Sequence, residues 1–253
     1  DRTVVTKHIK KIYWGLELWA PYLRFDKHFY LPNSRKYFLE SVRYSFAFLF
    51  KRSDRAFRYS NKLTNWLYYW DGEDIQRLQK TFYKKEHSID LDPIFYKDTQ
   101  KKFSFFESFI IPYVQENPNV EFHFLIIPYS ALEFLSLRSD GRRMLERYIT
   151  YQRYAINELS KFKNVTLYGF GDCQFIKNLA NYYDASHYHP GVNQFMLYCI
   201  KNKLHIINND LNYTEDVIQN LEDFAKNFKK IIKETVEDPH IDSLEELIEQ
   251  DNN

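Results

Sequence analysis

The sequence predicts an α/β domain with three layers, α/β/α, around a parallel sheet, and three observations predict it. Residues 120–127 read VEFHFLII: they begin with alternation, become continuously apolar and stop at Pro128. This is the pattern of a central parallel strand buried on both faces. Long segments with apolar residues at helical spacing separate it from a second short apolar run, NVTLYGF at 164–170. The resulting order of strand, long helix, strand, helix is the rhythm of a parallel sheet flanked by helices.

Each element is then justified in chain order. Residues 10–19, KKIYWGLELW, form a short apolar and aromatic run and are expected as a buried strand. Pro21, Pro32 and Asn33 make 20–34 a loop. Phe38, Leu39, Val42, Phe46 and Leu49 lie at helical spacing, so 36–50 is a helix, and 53–70 is another, capped by Ser53 or Asp54 and broken at Asp71-Gly72. A helical turn or two is expected at 76–85, a linker at 89–93, and a helix at 98–115 that ends before Asn117-Pro118. After the strand at 120–127, helices are expected at 131–138 and 142–162, divided by Asp140-Gly141. The strand at 164–170 ends in Gly171, and short helices follow at 174–182 and 192–203. The helix at 214–236 is long and amphipathic, with Thr214 as its cap, and 243–249 is expected as a loose helix in an acidic tail. One domain over 1–236, with a helical insertion at 36–117, followed by the tail at 237–253, accounts for the chain. Three strands make a thin sheet for 253 residues, so the sheet is expected to be incomplete at its N-terminus.

Composition excludes several function classes. The 35 Lys+Arg balance 34 Asp+Glu to a net charge of +1, which argues against a nucleic-acid partner. No apolar run reaches the roughly 18 residues of a membrane helix. Two cysteines, Cys173 and Cys199, give no disulfide framework and no zinc cluster by spacing. With 6 Gly, the chain contains neither G-x-x-x-x-G-K-[ST] nor G-x-G-x-x-G. The 21 Tyr and 22 Phe are heavy usage. Tyr44, Tyr59, Trp66, Tyr68, Tyr69 and Trp70 could stack on sugar rings, but such residues are more often the packing face of two helices.

The segment 182–194, YYDASHYHPGVNQ, carries the chemistry. It holds Asp184, His187 and His189 after the second strand of the rhythm, and loops beyond the carboxyl ends of parallel strands are where ligands bind. A histidine acting as a general base must be fixed in one tautomer, and a carboxylate accepting its Nδ1–H does this and stabilises the imidazolium. Asp-x-x-His in a turn can bring such a pair together, leaving a nucleophile to come from another loop. The plain alternative is a surface turn in which Asp and His serve local hydrogen bonds. Metal ligation by Asp184, His187 and His189 would lack a distant ligand, so no metal is expected there.

The block Asp184-Ala185-Ser186-His187, late in the chain and ahead of the final helices, resembles the last motif of the SGNH/GDSL hydrolase superfamily. The surrounding Asn178, Asn181, Tyr182, Asp184, His187, Tyr188 and Asn193 resemble a bacterial branch of exported, often membrane-anchored SGNH-like proteins. Pro128-Tyr129-Ser130 after the buried strand, and Gly15-Leu16-Glu17, are similar to that branch as well. The resemblance implies a flavodoxin-like sheet, ester hydrolysis or O-acyl transfer, His187 and Asp184 as the acid/base pair, and no cofactor. It implies a small acyl ester or an O-acylated surface glycan as the substrate, and a location outside the cytoplasm with any membrane anchor ahead of Asp1. Tyr188, His189, Tyr129 and Ser130 are candidate substrate contacts. The Gly-Asp-Ser or Gly-x-Ser nucleophile block of the superfamily does not occur in these 253 residues and is expected upstream of Asp1.

Other candidates have plainer readings. Ser130 is either a nucleophile at a strand end or, without a Gly-x-Ser-x-Gly elbow, the N-cap of the next helix. His189 precedes Pro190 and is expected to be extended. Asn193 is expected to be structural, Glu17 a satisfied edge residue and His123 a core or edge histidine. His8, His28, His87, His205 and His240 show no ligand spacing. Cys173, in Gly171-Asp172-Cys173, would act as a thiol nucleophile only within hydrogen-bond reach of a histidine. A non-catalytic α/β scaffold or accessory binding protein is the alternative of a different class.

Overall fold

The structure, a computed structural model, describes residues 10–16, 103, 106–138, 144–182, 187–210 and 212–251. The helices expected at 36–50, 53–70 and 76–85, and Glu17, lie outside them.

Among the described residues, three parallel strands form the sheet in the order β1 (Lys11–Leu16), β2 (Glu121–Ile126), β3 (Val165–Tyr168). Lys11 pairs with Glu121 and Leu16 with Ile126; Phe122 pairs with Val165 and Leu125 with Tyr168. The register follows burial. Phe122, Phe124 and Ile126 point to one face and are each no more than 1 % exposed. Burying such side chains stabilises by roughly 1.5–3 kcal/mol each. A one-residue slip would turn all of them to the opposite face. That face is more open: Tyr13 stacks on His123 at 4.7 Å between ring centroids and is 56 % exposed. His123 is thus a half-buried histidine on the open face of the central strand, not at an edge, and burial pulls its pKa down.

Helices flank the sheet, as expected of an α/β fold. The helix expected at 98–115 is described over 106–116, as a π-helical turn (Phe106–Ile110) running into α1 (Ile111–Glu116). Pro112 stands in the first turn of α1, where a missing N–H costs little. Between β2 and β3 run α2 (Ala131–Arg138) and α3 (Met144–Leu159). The helix expected at 174–182 is instead two 3₁₀ turns, Gln174–Lys177 and Leu179–Asn181. Asn178 divides them, because its side chain accepts from the Ala180 N–H and competes with an α-helical ladder. Then come α4 (Pro190–Asn202), α5 (Tyr213–Glu237) and α6 (Leu244–Asp251).

Thr214 is not the cap of α5. Asn212 holds the cap position without a side-chain bond, and Asp210 Oδ1 accepts from the N–H groups of Asn212 at 3.0 Å and Tyr213 at 3.3 Å. Thr214 is buried inside the first turn, where its hydroxyl accepts from Arg153 Nε at 2.9 Å and so ties α5 to α3. The start of α5 also presses on the end of β3. A Cβ at Gly169 would lie 2.5 Å from the Tyr213 ring, and the Gly171 N–H donates to Tyr213 Oη at 2.9 Å.

The acidic tail is docked rather than loose. Ser243 and Glu246 form a capping box: Glu246 N–H donates to Ser243 Oγ at 3.2 Å, and Ser243 N–H to Glu246 Oε2 at 2.7 Å. Leu247 of α6 enters the core at 1 % exposure. Among the described residues no helix is long and apolar enough to cross a membrane.

Candidate functional site

The segment from Asn178 to Gly191 reaches the carboxyl end of β2 and is fixed there by its own polar residues. Tyr182 and Tyr188 pair as an isolated antiparallel bridge, and the His189 N–H donates to the Asn181 carbonyl at 2.6 Å. The bridge closes the connection that carries Asp184 and His187. Tyr182 is fully buried, and its hydroxyl donates to the Pro128 carbonyl just beyond β2 at 2.9 Å. Tyr188 meets Tyr182 edge-on, with ring centroids 6.4 Å apart. Burial, with a smaller contribution from nearby Tyr129, pushes the Tyr188 phenol up to about 12. Tyr129, Tyr182 and Tyr188 therefore gather at one strand end.

The two asparagines flanking this segment hold the C-terminal region. Asn181 Nδ2 donates to Asp242 Oδ2 at 2.6 Å, and Asp242 N–H donates back to Asn181 Oδ1 at 2.9 Å. Asn178 Nδ2 donates to the His240 carbonyl at 3.0 Å. Asn181 and Asp242 are both buried, so each supplies the partner that the other needs.

The candidate residues fall into three groups. His187 is exposed and lies next to the bridge; Asp184 lies outside the described residues. Tyr129 and Tyr188 line the strand end. Ser130 and His189 serve backbone instead. Ser130 is fully buried, and its Oγ accepts from the Glu133 N–H at 3.2 Å as the cap of α2. His189 caps α4: its backbone is extended, and Nδ1 accepts from the Gly191 N–H at 3.1 Å. Asn193 is exposed on the first turn of α4.

The cap gives His189 a pH dependence. Burial lowers its pKa below the ordinary 6.5, and Nδ1 can accept the cap bond only while it is unprotonated. The unfolded chain then binds the proton more readily than the folded one, so this contribution is complete above about pH 6.5 and is lost as pH falls below it. His189→Asn keeps a capping acceptor that does not titrate. Its urea midpoint is expected to fall less between pH 7 and pH 5 than that of the parent; an equal fall would rule His189 out as the source.

A second cluster lies beyond β3. Cys173 Sγ is 3.9 Å from His205 Nδ1 and 4.0 Å from Asp172 Oδ1, beside a cleft of about 210 Å³. Asp251 Oδ1 lies 2.7 Å from His205 Nε2, though off the axis of a hydrogen bond from that nitrogen. Burial, then the Asp172 and Asp251 carboxylates, push the Cys173 thiol well above its ordinary value. This is the reverse of the electropositive setting that activates a nucleophilic thiol, so the histidine neighbour alone does not make Cys173 a catalytic nucleophile.

Sequence spacing did not point to Asp242, His205 or Asp251. The signal for the docked tail was present in Ser243-x-x-Glu246 ahead of Leu247. No short-range signal joins Cys173 to His205, which meet only through the turn after α4. No protein-family model, curated protein or solved structure matches the chain.

Proposed function

We propose that the chain belongs to an SGNH-like enzyme that hydrolyses or transfers O-acyl groups, with cell-surface polysaccharide as the acyl carrier. His187 is the general base and then the general acid, and Asp184 orients it. The nucleophilic serine lies ahead of Asp1, and the enzyme works outside the cytoplasm. The observation that supports this reading is the Tyr182–Tyr188 bridge, which holds His187 next to the carboxyl end of the central strand.

The chemistry is that of a serine acyl transfer. Serine Oγ attacks the acyl carbon as His187 takes its proton. The tetrahedral intermediate expels the sugar alkoxide, which takes that proton back and leaves an acyl-serine. Water or a second sugar hydroxyl then attacks, with His187 again moving the proton. Oxyanion donors hold the developing charge.

The test is made on the complete gene product, with an aryl acetate and an O-acetylated polysaccharide as substrates and a fluorophosphonate as the serine probe. The expected result is ester cleavage and labelling of one serine, with both lost in His187→Gln while the melting temperature is kept. Cleavage that survives His187→Gln, or no cleavage and no labelling in the parent, overturns the reading. The second outcome would leave a non-catalytic α/β scaffold.

A further inference from the structure

We infer that Asp172, Cys173 and His205 form a binding site for a thiophilic divalent cation, Zn²⁺ in the first instance, at the mouth of the cleft beyond β3. The site is distinct from the Asp184–His187 segment and does not depend on its role. Three observations carry the assignment.

The first is the donor set and its spacing. The carboxylate, thiol and imidazole donor atoms of Asp172, Cys173 and His205 all lie within 4.8 Å of one another. With Zn–S near 2.3 Å and Zn–N near 2.0–2.1 Å, a tetrahedral ion sets its sulfur and nitrogen ligands roughly 3.6 Å apart. The observed 3.9 Å from Cys173 Sγ to His205 Nδ1 is close to that separation. The sulfur-to-carboxylate distance of 4.0 Å needs a similarly small contraction. Three unlike protein donors with a cleft on the fourth side match a zinc site that keeps one position open to water.

The second is how His205 is held. Its backbone is left-handed, at φ 56°, a conformation a non-glycine residue adopts only where surrounding contacts impose it. Here the His205 carbonyl accepts from the Gly169 N–H at 3.1 Å. The ring lies between Phe170 and Phe195, at 5.3 Å and 5.9 Å between centroids. This presents Nδ1 to Cys173. The far nitrogen, Nε2, lies 2.7 Å from Asp251 Oδ1 but off the axis of a hydrogen bond, so a carboxylate is next to the imidazole without yet pairing with it.

The third is charge. Two carboxylates, Asp172 and Asp251, border the cleft, and among the described residues that line it there is neither Lys nor Arg. Among those described residues, His205 is the group that can offset them. A bound dication supplies the missing positive charge, and its binding displaces the Cys173 proton to solvent as the sulfur becomes a thiolate ligand. Cys199 and Asp251 also approach His205, but Cys199 is fully buried and does not line the cleft. The open site is therefore on the Cys173 side.

The experiment uses the tag-free chain, stripped with a chelator and titrated with Co²⁺ as the spectroscopic substitute for Zn²⁺. The expected result is one Co²⁺ per chain, with a near-ultraviolet thiolate-to-cobalt band that Zn²⁺ abolishes by displacement. Cys173→Ser loses the band and Cys199→Ser keeps it; thermal unfolding of both metal-free variants shows that each is folded. No thiolate band in the parent, or a band that survives Cys173→Ser, overturns the site. A band lost in Cys199→Ser but kept in Cys173→Ser overturns it in favour of the buried side of His205.

Discussion

Asp184→Asn is expected to lower turnover of an acyl ester by about 10⁴-fold with little change in KM. This corresponds to about 5 kcal/mol of lost transition-state stabilisation. Asparagine keeps the size of the side chain and can still bond within a turn, so a local structural role would survive the change. It cannot act as the fixed anionic acceptor for an imidazole N–H. The amide favours the wrong tautomer, and it does not stabilise the imidazolium that forms as the serine proton moves. The measurement is kcat and KM on the complete gene product with an aryl ester, alongside a urea melt. A fall of less than about tenfold would reduce Asp184 to a turn residue and remove the acid/base pair from the mechanism, because a true triad carboxylate costs far more.

Gly169→Ala is expected to destabilise the fold by about 3 kcal/mol, near the upper end of overpacking costs. The added methyl would stand 2.5 Å from Cε2 and Cζ of Tyr213. The ring has little room to retreat: Tyr213 is 1 % exposed, and its hydroxyl accepts from the Gly171 N–H at 2.9 Å. Moving the ring would leave that N–H unsatisfied, a further cost of about 1–3 kcal/mol if it stays buried. A drop in the urea midpoint with an unchanged slope is the expected reading. A change within about 0.5 kcal/mol, the usual range for an indifferent surface substitution, would show that α5 can slide on β3.

The fold was legible where its cause is local and periodic. Phe122, Phe124 and Ile126 announce a buried strand by themselves, and α2 after Ser130 follows from a cap and an apolar run. It was less legible where side chains compete with the backbone. Asn178 splits an apparent helix by accepting from Ala180, and α5 starts one residue before Thr214, with Asn212 at the cap position and Asp210 bonding the first N–H groups. The candidate site was legible in part for the same reason. Tyr129 and Tyr188, both singled out in the sequence, meet at the carboxyl end of β2. His189 and Ser130 look like site residues in sequence because an imidazole or hydroxyl that caps a helix uses the same atoms as one that binds substrate. Nothing in a linear reading brings His205 to Cys173, since their approach depends on the packing of α4 and α6 beside the end of β3.

The reciprocal Asn181–Asp242 pair spans 61 positions of sequence. A helix of eight residues such as α6 has too few turns to persist alone in water. Its amides are expected to lose protection when the segment around Asn181 opens, so the two regions are expected to exchange together. Deuterium uptake at the C-terminal helix thus becomes a remote gauge of order at the connection that carries His187.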